Sequence, residues 1–177
     1  MKLKAFCDAV LKDARNFDFQ KSLNMYLESK DYSPYLDIED LHEDLNTALS
    51  TKNDVKLKEV CLKILDIYPF DIESHAQFSQ VAFREGNMRL YHLHNFIASC
   101  LLDLILKSGD GKDYHTAYKI NHPKDEMTVF TYRKKYPTER VSHEKHGKVY
   151  DIYTMEDQKR LFFDISIPVF HVAGEKI

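Results

Sequence analysis

The chain has 177 residues, of which 44% are hydrophobic and 12% aromatic, and its formal net charge is −3. This length and composition predict one globular domain that folds without a disulfide or a metal, and they exclude a disordered chain. The acidic balance disfavours nucleic acid as a partner. The most apolar stretch, residues 96–106, is interrupted by Asp103 and has about half the length that a bilayer span requires, so we expect no membrane insertion.

The three cysteines, Cys7, Cys61 and Cys100, are odd in number and follow no ligand spacing. Such cysteines are typical of small core side chains in a reducing compartment. The N-terminus carries lysines without an apolar run behind them, so no signal peptide is predicted. We therefore expect a cytoplasmic protein.

Apolar residues recur at three- and four-residue spacing through the first two-thirds of the chain and predict an N-terminal helical segment followed by five helices. The first helix is predicted over residues 17–28, and Asp37 is expected to cap the second. Pro69 ends the third helix, and Gly86 closes the fourth as a left-handed cap. The fifth helix is predicted over residues 88–107. The helix pair on either side of Gly86 resembles the tetratricopeptide (TPR) layout.

The last third of the chain has short alternating segments typical of β-strands. His146-Gly147 predicts a hairpin turn, and Pro168 is expected to end the last strand. The strands are predicted at residues 116–120, 139–145, 148–155 and 159–167. A short helix is predicted to start within residues 121–126 and to bury Met127, Phe130 and Tyr136.

These elements predict an α+β fold, in which a TPR-like antiparallel layer of about five helices precedes a small antiparallel β-sheet with one short helix. The chain is predicted to be a single domain over residues 1–177. Within it the helical part is 1–109, the β-rich part is 110–168, and residues 169–177 form a short C-terminal tail. The fifth helix is expected to be buried by both parts, because its apolar run is nearly continuous.

The segment Ser108-Gly-Asp-Gly-Lys112 lacks the glycine and hydroxyl positions of a phosphate-binding loop and the alternating oxygen ligands of a calcium loop. We interpret it as a structural joint, with Gly109 capping the fifth helix and Asp110 accepting a bond from a downstream backbone N–H. A ligand contact by Asp110 or Lys112 remains the alternative.

His92 and His94 are two residues apart on a predicted helix and therefore point in different directions. An antiparallel turn at Gly86 could bring His75 near His94 in a shared polar pocket, although separately hydrogen-bonded histidines are the simpler expectation. No zinc, nucleophile or redox motif occurs in the sequence. We therefore predict no metal, no cofactor and no catalytic residue.

Five segments of the chain stand out together: Ser29-Lys-Asp-Tyr-Ser-Pro-Tyr35 (followed by His75), Ser108-Gly-Asp-Gly-Lys112, Thr116-Ala117, Val149-Tyr-Asp151 and Leu161-Phe-Phe-Asp-Ile165. In these segments the chain resembles an uncharacterised, mainly bacterial family, domain-of-unknown-function family four-nine-one-nine. The resemblance extends from about residue 17 to 167. Asp125-Glu126 matches an acid pair that follows the first strand in the family, with Met127 where the family has tyrosine. The resemblance implies no activity, but it draws attention to His75, Asp110 and Asp151.

The first hypothesis for function is a non-catalytic interaction or adaptor module whose partner is another protein, because helical hairpins present a groove. The alternative is a small-molecule-binding protein or enzyme with a polar pocket between helices and sheet near His75, Asp110 and Asp151. A third, narrower idea is a bacterial immunity or adaptor protein with one partner. The residues proposed for ligand or partner contacts are His75, His94, Ser108, Asp110, Lys112 and Asp151.

Overall fold

The computed structural model describes residues 2–33 and 38–173, without the side chains of residues 39, 172 and 173. The described residues form eight helices and one four-stranded sheet, which confirms the predicted α+β class. The helices are α1 (Leu3–Lys12), α2 (Phe19–Leu27), α3 (Ile38–Ser50), α4 (Asp54–Ile67), α5 (Ile72–Arg84), α6 (Met88–Ser108), α7 (Asp125–Arg133) and α8 (Ser166–Ala173). The strands are β1 (Tyr118–Lys119), β2 (Pro137–Lys145), β3 (Lys148–Met155) and β4 (Arg160–Asp164).

The described residues divide into two compact units. The first contains residues 2–32 and 38–101, and the second contains residue 33 and residues 102–173. Helix α6 therefore contributes its first two-thirds to one unit and its last third to the other. The single-domain organisation of the chain stays a prediction. No helix in the described residues combines the length and the apolar character needed to cross a bilayer.

Polar caps start three helices of the first unit. The side chain of Asp18 accepts a bond from Lys21 N at the start of α2, and Asn53 and Asp71 do the same for α4 and α5. Helix α5 ends before Gly86, whose φ of +74° confirms the predicted left-handed cap. Asp37, predicted to cap α3, lies outside the described residues.

Helices α3, α4 and α5 pack consecutively, and the predicted periodicity of α4 is confirmed in full. Each of its predicted core residues is buried: Leu57, Val60, Cys61, Ile64 and Leu65. Helix α6 buries one stripe, formed by Leu93, His94, Ile97, Ala98, Leu101 and Ile105. The TPR-like character of this layer stays a prediction.

The sheet of the second unit has the strand order β1-β4-β3-β2. Strands β2, β3 and β4 form the predicted antiparallel meander, whereas β1 pairs with β4 in parallel. His146 and Gly147 connect β2 to β3 with φ values of +53° and +69°, as the predicted two-residue hairpin requires.

Two predictions for the second unit are wrong in detail. Phe130 is buried as predicted, but Met127 and Tyr136 are 50% and 55% exposed, because Val129 shares the inward face of α7 with Phe130 and Tyr136 lies beyond the end of the helix. Strand β4 ends at Asp164, and Pro168 lies in the first turn of α8, where its missing N–H costs no helical bond. Residues 169–173 of the predicted tail are therefore helical.

Candidate functional site

His75 and His94 are brought together in the first unit, as the antiparallel turn at Gly86 suggested. Both side chains are buried, and their Nδ1 atoms lie 2.8 Å apart. The second ring nitrogen of His75, Nε2, lies 3.0 Å from the carbonyl oxygen of Pro69. A carbonyl can only accept, so His75 carries its proton on Nε2 and its Nδ1 accepts from the Nδ1–H of His94.

This arrangement keeps both imidazoles neutral. Burial lowers the pKa of His75 to about 4. Burial, with the nearby His75, lowers the pKa of His94 to about 3. A second proton on His75 would have to go on Nδ1, the atom that accepts from His94, and a second proton on His94 would place a charge on a buried ring. The pair is therefore a buried hydrogen-bonded link between α5 and α6.

A second buried pair lies on the same helix α5. Asp71 is its N-cap, with Oδ1 accepting from Ser74 N at 2.7 Å, and Oδ2 lies 3.2 Å from His42 Nε2 of α3. Burial opposes charge on both groups, but the hydrogen bond between them raises the pKa of His42 and lowers that of Asp71. His42 Nδ1 also lies 2.9 Å from Ile38 O. Asp71 thus ties α3 to the start of α5.

The loop of residues 108–112 is held by hydrogen bonds to the chain on either side of it. Ser108 Oγ donates to Ile105 O at 2.6 Å and accepts from Lys119 N at 2.8 Å. Gly109 does not have the positive φ of a left-handed cap, so its predicted capping role is wrong. Glycine is needed there because a Cβ would collide with the carbonyl oxygen of Thr116.

Asp110 forms the predicted turn with the backbone N–H of Lys112, at 3.1 Å from Oδ1. Its other oxygen accepts from Lys112 Nζ at 2.6 Å, and this contact lowers the pKa of Asp110 to about 2. Both side chains are exposed. The predicted turn at Asp110 is thereby confirmed, while ligand contacts by Ser108, Asp110 or Lys112 stay predictions.

Asp151 is buried on β3 and bonds to the neighbouring strand β2. Its Oδ2 accepts from Arg140 Nη2 and its Oδ1 from Ser142 Oγ, both at 2.5 Å. Its exposed fraction is 1%. Both carboxylate oxygens are therefore occupied by partners within the same unit.

Glu126 was not selected from the sequence. Its carboxyl group has a raised pKa, and the charge of Asp151 contributes to the shift. Glu126 lies in the first turn of α7 and is 5% exposed; its Oε2 accepts from Tyr153 Oη at 2.6 Å. Its Oε1 is buried without a hydrogen bond partner among the described residues. Burial, together with the charge of Asp151, raises the pKa of Glu126 to about 8. A group with this pKa holds a proton at neutral pH.

These clusters do not form an obvious metal site. The described ranges contain no group of three or more histidine, cysteine, aspartate or glutamate side chains that could hold a metal ion. The described partners of Asp110 and Asp151 have no residue in common, and His75 lies in the other unit. The predicted pocket near these three residues stays a prediction.

An open cleft of about 350 Å³ lies in the first unit at the end of α3, the start of α4 and one face of α5. It is lined by Ala48, Leu49, Lys52, Asp54, Leu57, Gln77, Gln80 and Arg84. None of these was selected from the sequence. The signal available there was the spacing of Gln77, Gln80 and Arg84, which places three polar residues on one helical face.

We predict that His94→Asn flattens the dependence of stability on acid pH. Histidines with a lowered folded pKa bind protons more readily in the unfolded chain, so stability is lost as pH falls below about 6.5. Asn can still donate to His75 but does not titrate. The free energy of unfolding is measured by chemical denaturation between pH 7 and 5. Its slope against pH should be smaller in His94→Asn than in wild type by up to about 1.4 kcal/mol per pH unit.

His92→Asn is the matched control, because His92 is an exposed histidine on the same helix. It should keep the wild-type slope. His42 contributes with the opposite sign but is the same in all three proteins, so it cancels in the comparison. An unchanged slope in His94→Asn would contradict the buried neutral pair.

We predict that Asp110→Ala lowers the free energy of unfolding more than Asp110→Asn, because the Asn side-chain oxygen can still accept the bond from Lys112 N. Lys112→Met removes the exposed ion pair but leaves the turn intact, and it should have the smallest effect. Urea denaturation at neutral pH measures all three. If Asp110→Ala is as stable as wild type, Asp110 does not stabilise the turn. The loop of residues 108–112 would then be the first place to look for a ligand.

We predict that Glu126→Gln stabilises the protein at alkaline pH. A carboxyl group with a raised folded pKa contributes stability that is lost as pH rises from about 4.5 to about 8. Gln resembles the neutral acid and does not titrate, so the variant should lose this decline. The measurement is the free energy of unfolding from pH 5 to 8, with Glu156→Gln, an exposed position, as the control. A parallel decline in wild type and Glu126→Gln would show that Glu126 is ionised in the folded protein.

Of the comparisons with known proteins, the one with family models gives a match. No curated protein and no solved structure matches this chain. Residues 13–171 match the family model described as "Domain of unknown function (DUF4919)", which covers most of the chain and both units. This is the family that the sequence resemblance indicated. The chain therefore belongs to the DUF4919 family.

Proposed function

We propose that this chain is a non-catalytic protein-interaction module, and that the cleft formed by α3, α4 and α5 binds an extended segment of a partner protein. The observation that carries the proposal is an open cleft whose lining combines leucine side chains with two amide side chains that have no hydrogen bond to another described residue. Leu49 and Leu57 contribute to the apolar part of the lining.

Gln77 and Gln80 are the groups expected to bind the backbone of the partner. Neither amide has a hydrogen bond to another described residue. An amide both donates and accepts, so it can pair with the N–H and C=O of one extended residue. Two amides on one face of α5, one turn apart, suit alternate residues of an extended chain, because the N–H and C=O groups of alternate residues point to the same side.

The charges around the cleft favour a partner segment with a carboxylate. Arg84 and Asp54 form a two-bond ion pair, with both N–O distances at 2.6 Å, and so compensate one another. Lys52 remains as a lysine on the lining without a described ion pair. An acidic side chain on the bound segment would complement it.

The six residues selected from the sequence play a different part in this proposal. His75, His94 and Asp151 are buried and hydrogen-bonded, so their side chains position the fold rather than contact a partner. The alternative function, a ligand or enzyme site that includes His75, Asp110 and Asp151, would need these groups to converge on one pocket. Absence of a cofactor and of a nucleic-acid partner remains part of the proposal.

The proposal is tested with a random peptide library displayed on phage and selected on the full chain. We expect enriched peptides to bind wild type and to lose at least about tenfold in affinity with the Gln77→Ala/Gln80→Ala variant, because two buried hydrogen bonds are removed. Isothermal titration calorimetry of the synthetic peptides measures the loss. Chemical-shift changes should concentrate on α3, α4 and α5.

Gln20→Ala is the matched control, because Gln20 is an exposed glutamine on α2 of the same unit and away from the cleft lining. It should bind the peptides as wild type does. Peptides that bind the double variant equally well, or shifts confined to other elements, would overturn the cleft as the binding site.

A further inference from the structure

Strand β2 forms an open edge of the sheet. It pairs with β3 on one side, and none of the described strands pairs with its other side. All of its residues from Thr138 to Glu144 are exposed. A nine-residue edge with free backbone groups is a template for pairing with another strand.

The hairpin geometry determines which backbone groups of β2 face outward. Residues of an antiparallel pair alternate between bonding to one another and pointing away. Val149 points away from β2, because its N–H donates to Ser166 Oγ at 3.0 Å and its carbonyl accepts from Ile165 N at 2.9 Å. Its partner on β2 is Glu144, which therefore also points its N–H and C=O away from β3.

The same alternation places the backbone groups of Arg140 and Ser142 on the open side. They pair with Tyr153 and Asp151, which lie four and two residues along β3 from Val149 and, like Val149, point their N–H and C=O groups away from β2. Three residues of β2, at alternate positions, thus offer both a donor and an acceptor to an incoming strand.

We propose that the open edge of β2 pairs antiparallel with β2 of a second copy of this chain, in the register centred on Ser142. In that register Arg140 lies opposite Glu144 of the second copy, and Glu139 lies opposite Lys145. The two-fold axis repeats each pair, and every cross-strand charge pair is then of opposite sign.

In the two neighbouring registers, outward-facing residues of one strand still lie opposite outward-facing residues of the other. These registers lack the charge complementarity. Centring the pairing on Val141 places Glu139 opposite His143, and centring it on His143 places Val141 opposite Lys145. Charges on an edge strand usually prevent pairing. Here the order Glu139-Arg140 followed by Glu144-Lys145 pairs opposite charges in the register centred on Ser142 and therefore favours that register over the shifted ones.

The charges of the strand are also available for this pairing. Glu139 and Glu144 have no ion pair among the described residues. Arg140 bonds to Asp151 with Nη2 only, and its side chain is 55% exposed, so its remaining donors can reach a carboxylate. The Lys145 ammonium lies over the Tyr114 ring at 4.0 Å, on the face of the sheet that Glu139 shares.

The test is a charge exchange measured by sedimentation equilibrium on the full chain. Wild type should dimerise with rising concentration. Glu139→Lys places two lysines opposite each other, and Lys145→Glu places two glutamates opposite each other, so each variant should raise the dissociation constant about tenfold or more.

An equimolar mixture of the two variants should recover the dimer, because each Glu139→Lys chain then faces a Lys145→Glu chain with opposite charges. The Glu139→Lys/Lys145→Glu double variant should recover it too. Glu156→Lys, the same charge change at an exposed turn outside β2, should behave as wild type. Circular dichroism checks that each variant is folded.

Three results would overturn the proposal. A wild type that stays monomeric up to roughly millimolar concentration rejects the pairing, since a dissociation constant above that level means less than about 4 kcal/mol of association. A dimer that Glu139→Lys leaves unchanged would use another surface. Variants that each dissociate but do not recover on mixing would reject the register centred on Ser142.

Discussion

The carboxylate of Asp71 is buried in the first unit, and the protein itself must replace the water that would otherwise solvate it. It does so with the Ser74 backbone N–H at the start of α5 and the imidazole of His42 on α3. Removing either partner would leave a buried charge partly uncompensated, which costs more than an ordinary hydrogen bond. The position of α5, and with it of His75 and the cleft face, depends on this contact.

The second unit also buries carboxyl groups, those of Asp151 and Glu126, but it stabilises them differently. Asp151 is compensated by Arg140 and Ser142, which leaves Glu126 with one hydrogen bond from Tyr153 and one oxygen without a described partner. A second uncompensated charge beside Asp151 would be unfavourable, so the protein holds Glu126 in its protonated form. The first unit compensates its buried carboxylate with a backbone N–H and an imidazole, whereas the second unit compensates one carboxylate with Arg140 and keeps the other protonated.

Much of the fold follows from local features of the sequence. Apolar spacing predicted α4 and α6, Gly86 predicted the turn between α5 and α6, and His146-Gly147 predicted the hairpin. The contact of His75 with His94 follows from that turn and the positions of both residues relative to it, so it could be anticipated as one of two alternatives. These features share a cause, because the deciding interactions lie close together along the chain.

The missed features depend on distant contacts. Acidic residues at the start of α7 are typical of a favourable helix dipole, so Asp125-Glu126 gave no reason to expect burial. The burial and raised pKa of Glu126 arise from Tyr153 and Asp151 on β3. Pro168 was expected to end a strand because its position within a helix depends on where β4 stops. That point is determined by Asp164, whose carboxylate bonds to Ser166 N and Oγ.

The segments that carry the family resemblance have structural tasks in this protein. Ser108 joins α6 to β1, Gly109 allows the close approach of Thr116, and Asp151 ties β3 to β2. Residues under such constraints are needed by any chain that adopts the fold, whatever it binds. The side chains of Lys52, Gln77 and Gln80 in the cleft and of Glu139 and Glu144 on β2 have no hydrogen bond or ion pair to another described residue, so they are free to be selected for recognition. A search for the function of this chain is therefore best directed at these two surfaces rather than at the segments that carry the resemblance.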